Sequence, residues 1–155
     1  MSIVKSGGIL VVEDEPIIRL ALVATLEAAG FRVVGEAATR RAALTIAERS
    51  PPEVALLDIN LYGIWDGFVI ARDLVSRYGT KIVFMTSYQE SDVLERARAC
   101  RPVAIVGKPA SDPEIVRAVA LAQGRARAHP MSGNAEREAS DEFAALLTRG
   151  NPQPA

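Results

Sequence analysis

The chain has 155 residues, of which 49% are hydrophobic, 24% are charged and 5% are aromatic. This size and composition are those of one compact domain with a substantial core. The formal net charge of -1 excludes an overall basic field that would attract nucleic acid or an anionic membrane, and so few aromatic side chains argue against recognition of bases by stacking.

The sequence predicts a cytoplasmic protein. Cys100 is the only cysteine, so no disulfide can form within the chain, as is usual in a reducing compartment. Residues 1–8 are too short and too polar for a signal peptide, and every apolar run is much shorter than a membrane span. We therefore expect no association with a membrane.

Short apolar runs alternate along the chain with segments whose apolar residues recur at helical spacing. The apolar runs predict five strands, which in chain order are residues 9–12, 31–34, 54–57, 81–85 and 103–106. The segments that follow these strands predict five helices. The first four are residues 16–29, 40–49, 66–78 and 92–100, and the last has Pro113 in its first turn and an inner face that reaches Ala122.

Residues typical of helix ends support these bounds. Gly30 can adopt the left-handed conformation that ends the first helix. Thr39 is the expected N-cap of the second helix and Ser91 that of the fourth, because their hydroxyls can accept backbone N–H groups. Either Ser111 or Asp112 can cap the fifth helix.

Most of the predicted strands show no polar alternation, which indicates burial on both faces, as in a parallel sheet covered by helices. Together with the strict alternation of strands and helices, this predicts a doubly wound α/β domain over residues 7–124. Residues 125–135 have the composition of a linker, and residues 136–149 predict a short amphipathic helix or a disordered tail. The apolar face of that helix would pack either on its own domain or on a partner.

Polar residues follow the predicted strands at the points where the strands end. Glu13 and Asp14 follow the first strand, Asp58 the third, Thr86 the fourth and Lys108 lies just beyond the fifth. The carboxyl ends of parallel strands meet at one edge of the sheet, where folds of this class bind their ligands. We therefore expect three carboxylates, a hydroxyl and an ammonium group to converge there.

Clustered carboxylates repel one another unless a cation neutralises them. Mg2+ prefers oxygen ligands and keeps some of its waters. Asp14, Asp58 and the backbone carbonyl of Asn60 can supply the protein ligands, and Glu13 can hold a metal-bound water. The pattern predicts a magnesium site.

The remaining groups suit phosphoryl transfer to a carboxylate. Asp58 can act as a nucleophile that forms an aspartyl phosphate. Lys108 can pair with one phosphoryl oxygen and Thr86 can donate a hydrogen bond to another. Taken singly, each residue has an ordinary structural explanation, such as an acid near a helix start or a solvated lysine, and only their joint placement favours this chemistry.

Five short motifs occur in a characteristic order and spacing: ILVVEDEP at 9–16, ALLDINL at 55–61, DG at 66–67, FMTS at 84–87 and GKP at 107–109. In these motifs the chain resembles the response-regulator receivers of two-component signalling, in particular stand-alone receivers of the chemotaxis type. The resemblance covers nearly all of residues 8–123.

The resemblance implies a flavodoxin-like sheet with strand order 2-1-3-4-5. It implies that Asp58 receives a phosphoryl group from a sensor histidine kinase or a phosphotransfer protein. The residues matching Glu13 and Asp14 bind Mg2+ in the family, and those matching Thr86 and Lys108 contact the phosphoryl group. It further implies a switch that changes binding to an unidentified protein target, with no reaction on a separate substrate and possible homodimers. Arg125 and Arg127 are too few to indicate direct DNA binding.

The resemblance also implies that the peptide bond before Pro109 is cis, and the chain departs from the family at two positions. Ile105 stands where the family usually has an aromatic switch residue, and Tyr62 stands where it usually has proline. Without the aromatic ring, we expect phosphorylation to act through residues 87–91 and the helix after them.

Three other functions fit less well. A hydrolase with an aspartyl nucleophile typically has an acid two positions later, where this chain has Asn60, whose amide cannot act as a general acid. A dinucleotide-binding domain needs a glycine loop after its first strand, but Gly7 and Gly8 precede it. A DNA-binding regulator needs more chain after residue 124 than is present for a helix-turn-helix.

Overall fold

The structure is a computed structural model, and it describes residues 7–62, 64–88 and 90–124. The predicted linker at 125–135 and the predicted helix or tail at 136–149 lie outside the described residues. None of the helices in the described ranges is both long enough and apolar enough to cross a bilayer.

Five strands and five helices alternate along the described part of the chain, as predicted. The strands are β1 (Ile9–Val12), β2 (Val33–Ala37), β3 (Val54–Asp58), β4 (Lys81–Thr86) and β5 (Ala104–Gly107). The helices are α1 (Pro16–Ala28), α2 (Arg40–Arg49), α3 (Asp66–Tyr78), α4 (Ser91–Ala99) and α5 (Asp112–Ala122).

The strands form one parallel sheet in the order β2-β1-β3-β4-β5, which confirms the predicted flavodoxin-like α/β fold. Successive side chains of each strand point to opposite faces, so each face has its own core. Ile9 and Val11 pack with α1 and α5, whereas Leu10 and Val12 pack with α2, α3 and α4. Burial on both faces explains why the strands are apolar throughout.

The second strand begins later than predicted. Its predicted range was 31–34, but Phe31 belongs to the end of α1: its N–H donates to the carbonyl of Leu26, and that of Gly30 donates to Glu27. This Schellman-type pattern, with Gly30 at φ 88°, turns the chain before pairing with β1 can start. The buried Phe31 ring packs beside α1.

Three of the predicted helix caps can be compared with the structure. Thr39 accepts the N–H of Ala42, and Ser111 forms a capping box with Glu114, so Ser111 and not Asp112 is the N-cap of α5. The prediction for Ser91 is wrong. The first helical N–H, that of Leu94, is donated to the carbonyl of Glu90, which makes Glu90 the N-cap of α4.

Candidate functional site

The polar residues predicted to converge lie at one edge of the sheet. Asp58 and Thr86 are the last residues of β3 and β4, while Glu13 and Lys108 directly follow β1 and β5. A cavity of about 330 Å³ opens at this edge. It is lined by Glu13, Asp14, Glu15, Ile18, Asp58, Asn60, Ser87, Tyr88 and Lys108.

Three carboxylates form the acidic side of this cavity. Glu13, Asp14 and Asp58 each offer an oxygen, and these oxygens all lie within 4.8 Å of one another. Glu13 and Asp58 are buried, with 1% and 8% of their surfaces exposed, and Asp14 is half-buried. Hard oxygen donors brought this close in a partly dry site are the kind of ligands that a divalent cation such as Mg2+ requires.

Lys108 bridges two of the three acids. Its Nζ lies 2.9 Å from Oε2 of Glu13 and 3.0 Å from Oδ2 of Asp58. Burial acts to lower the pKa of Lys108, but the hydrogen bonds to both carboxylates outweigh it and hold that pKa above its usual value. Lys108 therefore stays charged and neutralises part of the acidic cluster.

Glu13 is the most buried of the three acids, and its environment favours the protonated form. Burial raises its pKa from 4.5 to about 7, with a further increase from the charge of Asp58 and an opposing effect of the hydrogen bond from Lys108. Near neutral pH this carboxyl can hold a proton or, when ionised, accept from Lys108. The cluster thus reduces its own repulsion even without a metal ion.

The loop between β3 and α3 holds two of the carboxylates with backbone N–H groups. The N–H of Asn60 donates to Oδ1 of Asp58 at 3.2 Å, and that of Tyr62 donates to Oδ2 of Asp14 at 2.9 Å. Tyr62 has φ 52°, in the left-handed region. Proline has no N–H and a φ near −65°, so the departure from the family at this position follows from the shape of the loop.

The hydroxyl of Thr86 is hydrogen-bonded to the backbone of the residue two positions later. Its hydroxyl is buried in a turn of its own chain: it accepts the N–H of Tyr88 at 2.9 Å and donates to the carbonyl of Tyr88 at 3.3 Å. Thr86 is not among the residues that line the cavity. It still lies beside the site, because its carbonyl accepts the N–H of Lys108.

Two residues beside the acids were not named as site residues from the sequence, although Tyr88 lies in the segment 87–91 that was expected to respond to phosphorylation. Arg19 of α1 donates to the backbone carbonyl of Glu13 at 2.9 Å and pairs with Glu36 of β2, so it orients the turn after β1. Tyr88 lines the cavity, and its hydroxyl accepts the side-chain amide of Asn60 at 3.4 Å. The sequence indicates them only by their positions: Arg19 lies one turn into α1, and Tyr88 is an aromatic residue two positions after Thr86.

The other two predicted positions, Pro109 and Ile105, are not among the residues that line the cavity. The peptide bond between Lys108 and Pro109 is cis, as the resemblance implies. Ile105 is buried in the core that the sheet shares with α2, α3 and α4, and it does not line the cavity.

Known proteins are similar to this chain in both sequence and fold. A profile of the response regulator receiver domain matches residues 9–120. The chain is 33% identical over 119 residues to the transcriptional regulatory protein PdtaR of Mycobacterium tuberculosis, a match that covers 77% of this chain and 58% of PdtaR. The chain spans less than two thirds of the length of the curated relatives it matches.

Two solved receiver domains superpose on the structure. The receiver domain of a modulated diguanylate cyclase from Desulfovibrio desulfuricans G20 is 30% identical with a TM-score of 0.70, covering 76% of this chain and 94% of that one. The receiver domain of NarL from Mycobacterium tuberculosis is 29% identical with a TM-score of 0.70, covering 77% and 98%. Since the family profile spans well over half of the sequence, the chain belongs to the response regulator receiver family, whose members act in phosphorylation-dependent signalling.

Proposed function

We propose that this receiver domain is a signalling switch that accepts a phosphoryl group on Asp58 in the presence of Mg2+, and that its phosphorylation state controls binding to a protein partner. The observation that carries the proposal is the position of Lys108, whose ammonium group contacts Asp58 inside a cluster of three acids. A partly buried cation beside a carboxylate is suited to neutralise charge that arrives on that carboxylate.

Asp58 fits the role of acceptor better than its two neighbours. Each of its carboxylate oxygens already has one donor, Lys108 on Oδ2 and the N–H of Asn60 on Oδ1, so the group is held in a fixed orientation at the cavity. Glu13 is almost fully buried and favours a proton, whereas Asp14 is held by the loop that carries Tyr62. Orientation of the nucleophile is the main contribution a protein makes to phosphoryl transfer.

The donor set fits Mg2+. Asp14, Asp58 and the backbone carbonyl of Asn60 would hold the ion, and Glu13 would hold one of its waters. When bound, Mg2+ supplies positive charge that offsets the negative charge on the acids and the phosphoryl oxygens. The chain's own residues position the nucleophile and keep an ammonium group beside it.

The phosphoryl donor in this proposal is a phosphohistidine of a sensor kinase or of a phosphotransfer protein. A carboxylate oxygen of Asp58 forms the new P–O bond while the P–N bond to the donor breaks, and the electron pair of that bond stays on the imidazole nitrogen. Lys108 keeps its contact with the charge that develops on the phosphoryl oxygens. The product is an acyl phosphate that changes the charge of the cavity.

The intact mass of the protein after incubation with acetyl phosphate and Mg2+ tests this assignment. The wild type should gain one phosphoryl group, and Asp58→Asn should gain none. Asp92→Asn is a matched control because Asp92 is an exposed aspartate in the first turn of α4, outside the cavity. It should label like the wild type. Labelling of Asp58→Asn to the wild-type extent would refute the proposal.

A further inference from the structure

Tyr88 makes contacts in two directions, through its backbone and through its side chain. Its backbone bonds in both directions with the hydroxyl of Thr86, as described above. Its side chain reaches the next loop, where the hydroxyl accepts the amide of Asn60 and the ring packs edge-on against Trp65 at 5.1 Å between ring centroids. One residue thus connects the end of β4 with the loop that follows Asp58.

The ring of Trp65 is the first of a series of packed side chains. Trp65 is the residue before α3, and its ring stacks on Phe68 at 6.2 Å. Phe68 in turn packs edge-on against Phe84 of β4, and the guanidinium group of Arg96 from α4 lies 4.6 Å from the centre of the Phe68 ring. Movement of the ring of Tyr88 would therefore reach both the start of α3 and one face of α4.

Thr86 follows directly after the residue of β4 that pairs with Asp58. β4 is the neighbour of β3 in the sheet; Asp58 is paired with Met85, the residue before Thr86, and Ile59 donates to the carbonyl of Met85. The Thr86 hydroxyl has a single proton, and at 3.3 Å its bond to the carbonyl of Tyr88 is long for an O–H donor. A charged phosphoryl oxygen is a stronger acceptor than a neutral carbonyl.

We propose that Tyr88 is a positioning residue that couples capture of the Thr86 hydroxyl by a phosphoryl group on Asp58 to a shift of Trp65 and the start of α3. The inference rests on the proposed function, because it needs the phosphoryl group. When the Thr86 proton turns to that group, the carbonyl of Tyr88 loses its donor and the turn that fixes the Tyr88 ring loosens. The ring then leaves its packing position on Trp65 and its hydrogen bond with Asn60.

Trp65 is the sole tryptophan of the chain, so its fluorescence reports this movement directly. The full-length protein is incubated with acetyl phosphate and Mg2+, the extent of labelling is read from intact mass, and the emission of Trp65 is recorded on the same sample. We expect a shift in emission in proportion to labelling. A wild type that takes no phosphoryl group refutes the proposed function, whereas a fully labelled wild type with unchanged emission refutes only the role of Tyr88.

Variants of Thr86 separate the coupling from simple proximity of the phosphoryl group. Thr86→Ser keeps the hydroxyl and should keep the emission shift per labelled molecule. Thr86→Val has nearly the same shape without the hydroxyl, and its labelled fraction should show no shift, at whatever rate labelling occurs. An unchanged shift per labelled molecule in Thr86→Val would overturn the proposal, since the hydroxyl would then not be the trigger.

Variants of Tyr88 test whether the signal passes through its ring. Tyr88→Phe loses only the hydroxyl that binds Asn60, so the ring still contacts Trp65 and the shift should remain. In Tyr88→Leu the turn with Thr86 is made by the backbone and persists, but the labelling-dependent shift should be lost. If Tyr88 had a purely structural role, Tyr88→Leu would change the emission of the unlabelled protein and leave the shift on labelling unchanged. A wild-type shift on labelling of Tyr88→Leu would contradict the coupling.

Discussion

The start of α3 is pressed against the backbone that carries Asp58, and this contact makes a sharp test of how the site is positioned. Gly67, the second residue of α3, donates its N–H to the carbonyl of Ile59. A Cβ at this position would lie 2.3 Å from the carbonyl oxygen of Asp58 and 2.7 Å from the Cα of Ile59. We predict that Gly67→Ala destabilises the fold and displaces Asp58.

The size of the effect follows from the distances. Ordinary contacts begin near 3.4 Å, so the helix and the end of β3 must separate by about 1 Å to admit the methyl group of Gly67→Ala. Overpacking of a core usually costs about 1–3 kcal/mol, and the upper end applies because both neighbours are backbone. Replacing glycine by alanine in a helix interior returns about 1 kcal/mol, which is an upper limit for Gly67 in the first turn of α3. The free energy of unfolding should therefore fall by about 2 kcal/mol.

Urea unfolding of the wild type, Gly67→Ala and Gly107→Ala measures this loss. Gly107 is the matched control: it ends β5 beside Lys108, but a Cβ there would meet nothing within 4 Å. Gly107→Ala should unfold within about 0.5 kcal/mol of the wild type. Labelling by acetyl phosphate should be slower in Gly67→Ala. If the two alanine variants have equal unfolding free energies, the backbone contact does not constrain the site as argued.

Three further predictions concern the acids and the loop that holds them. Asp14→Ala, or EDTA added to the wild type, should abolish labelling by acetyl phosphate in the intact-mass assay, and full-rate labelling in EDTA would exclude a role for Mg2+. In EDTA the unfolding free energy of the wild type should fall by on the order of 1–3 kcal/mol as the pH rises from about 4.5 to about 7. The reason is that over this range the folded protein still holds a proton on Glu13 that the unfolded chain has released. Urea titrations at both pH values should show that Glu13→Gln has lost this pH dependence. Tyr62→Pro removes the N–H bound to Asp14 and cannot adopt φ 52°, so urea unfolding should show a loss of more than about 1 kcal/mol, with Tyr62→Phe as the unchanged control.

The fold could be predicted from the sequence because strands that are buried on both faces are continuously apolar. Runs such as Val54–Asp58 are apolar up to the residue at the sheet edge, and five such runs separated by helical spacing admit few arrangements. The predicted ends of helices and strands were less accurate where backbone hydrogen bonds determine those ends. Phe31 is as apolar as a strand residue, but its N–H bonds to Leu26 at the end of α1. The N-cap of α4 is Glu90 and not Ser91, because the carbonyl of Glu90 accepts the first helical N–H.

The members of the site could be predicted, but not the partners of every side chain. Strand ends converge whatever the details of the loops, which is why Glu13, Asp58 and Lys108 are found together. The hydrogen bonds of Thr86 depend instead on the path of the chain just after β4, where a threonine hydroxyl can satisfy a nearby backbone N–H. Loop geometry of that kind leaves no periodic signal in a sequence, so Tyr88 was not named as a site residue.

The charges at the cavity lead us to predict that a second cation is needed beside Lys108. Its ammonium group contacts Glu13 and Asp58, while the carboxylate of Asp14 is held by a neutral N–H donor. With all three acids ionised, one ammonium group leaves an excess of negative charge, and phosphorylation replaces the single charge of the Asp58 carboxylate with about −1.5 to −2 on the phosphoryl oxygens. Like charges about 4 Å apart repel by about 4 kcal/mol each at a partly buried site. Lys108 alone cannot offset several such repulsions, so we predict that acceptance of the phosphoryl group depends on a divalent ion at the oxygens that Lys108 leaves free.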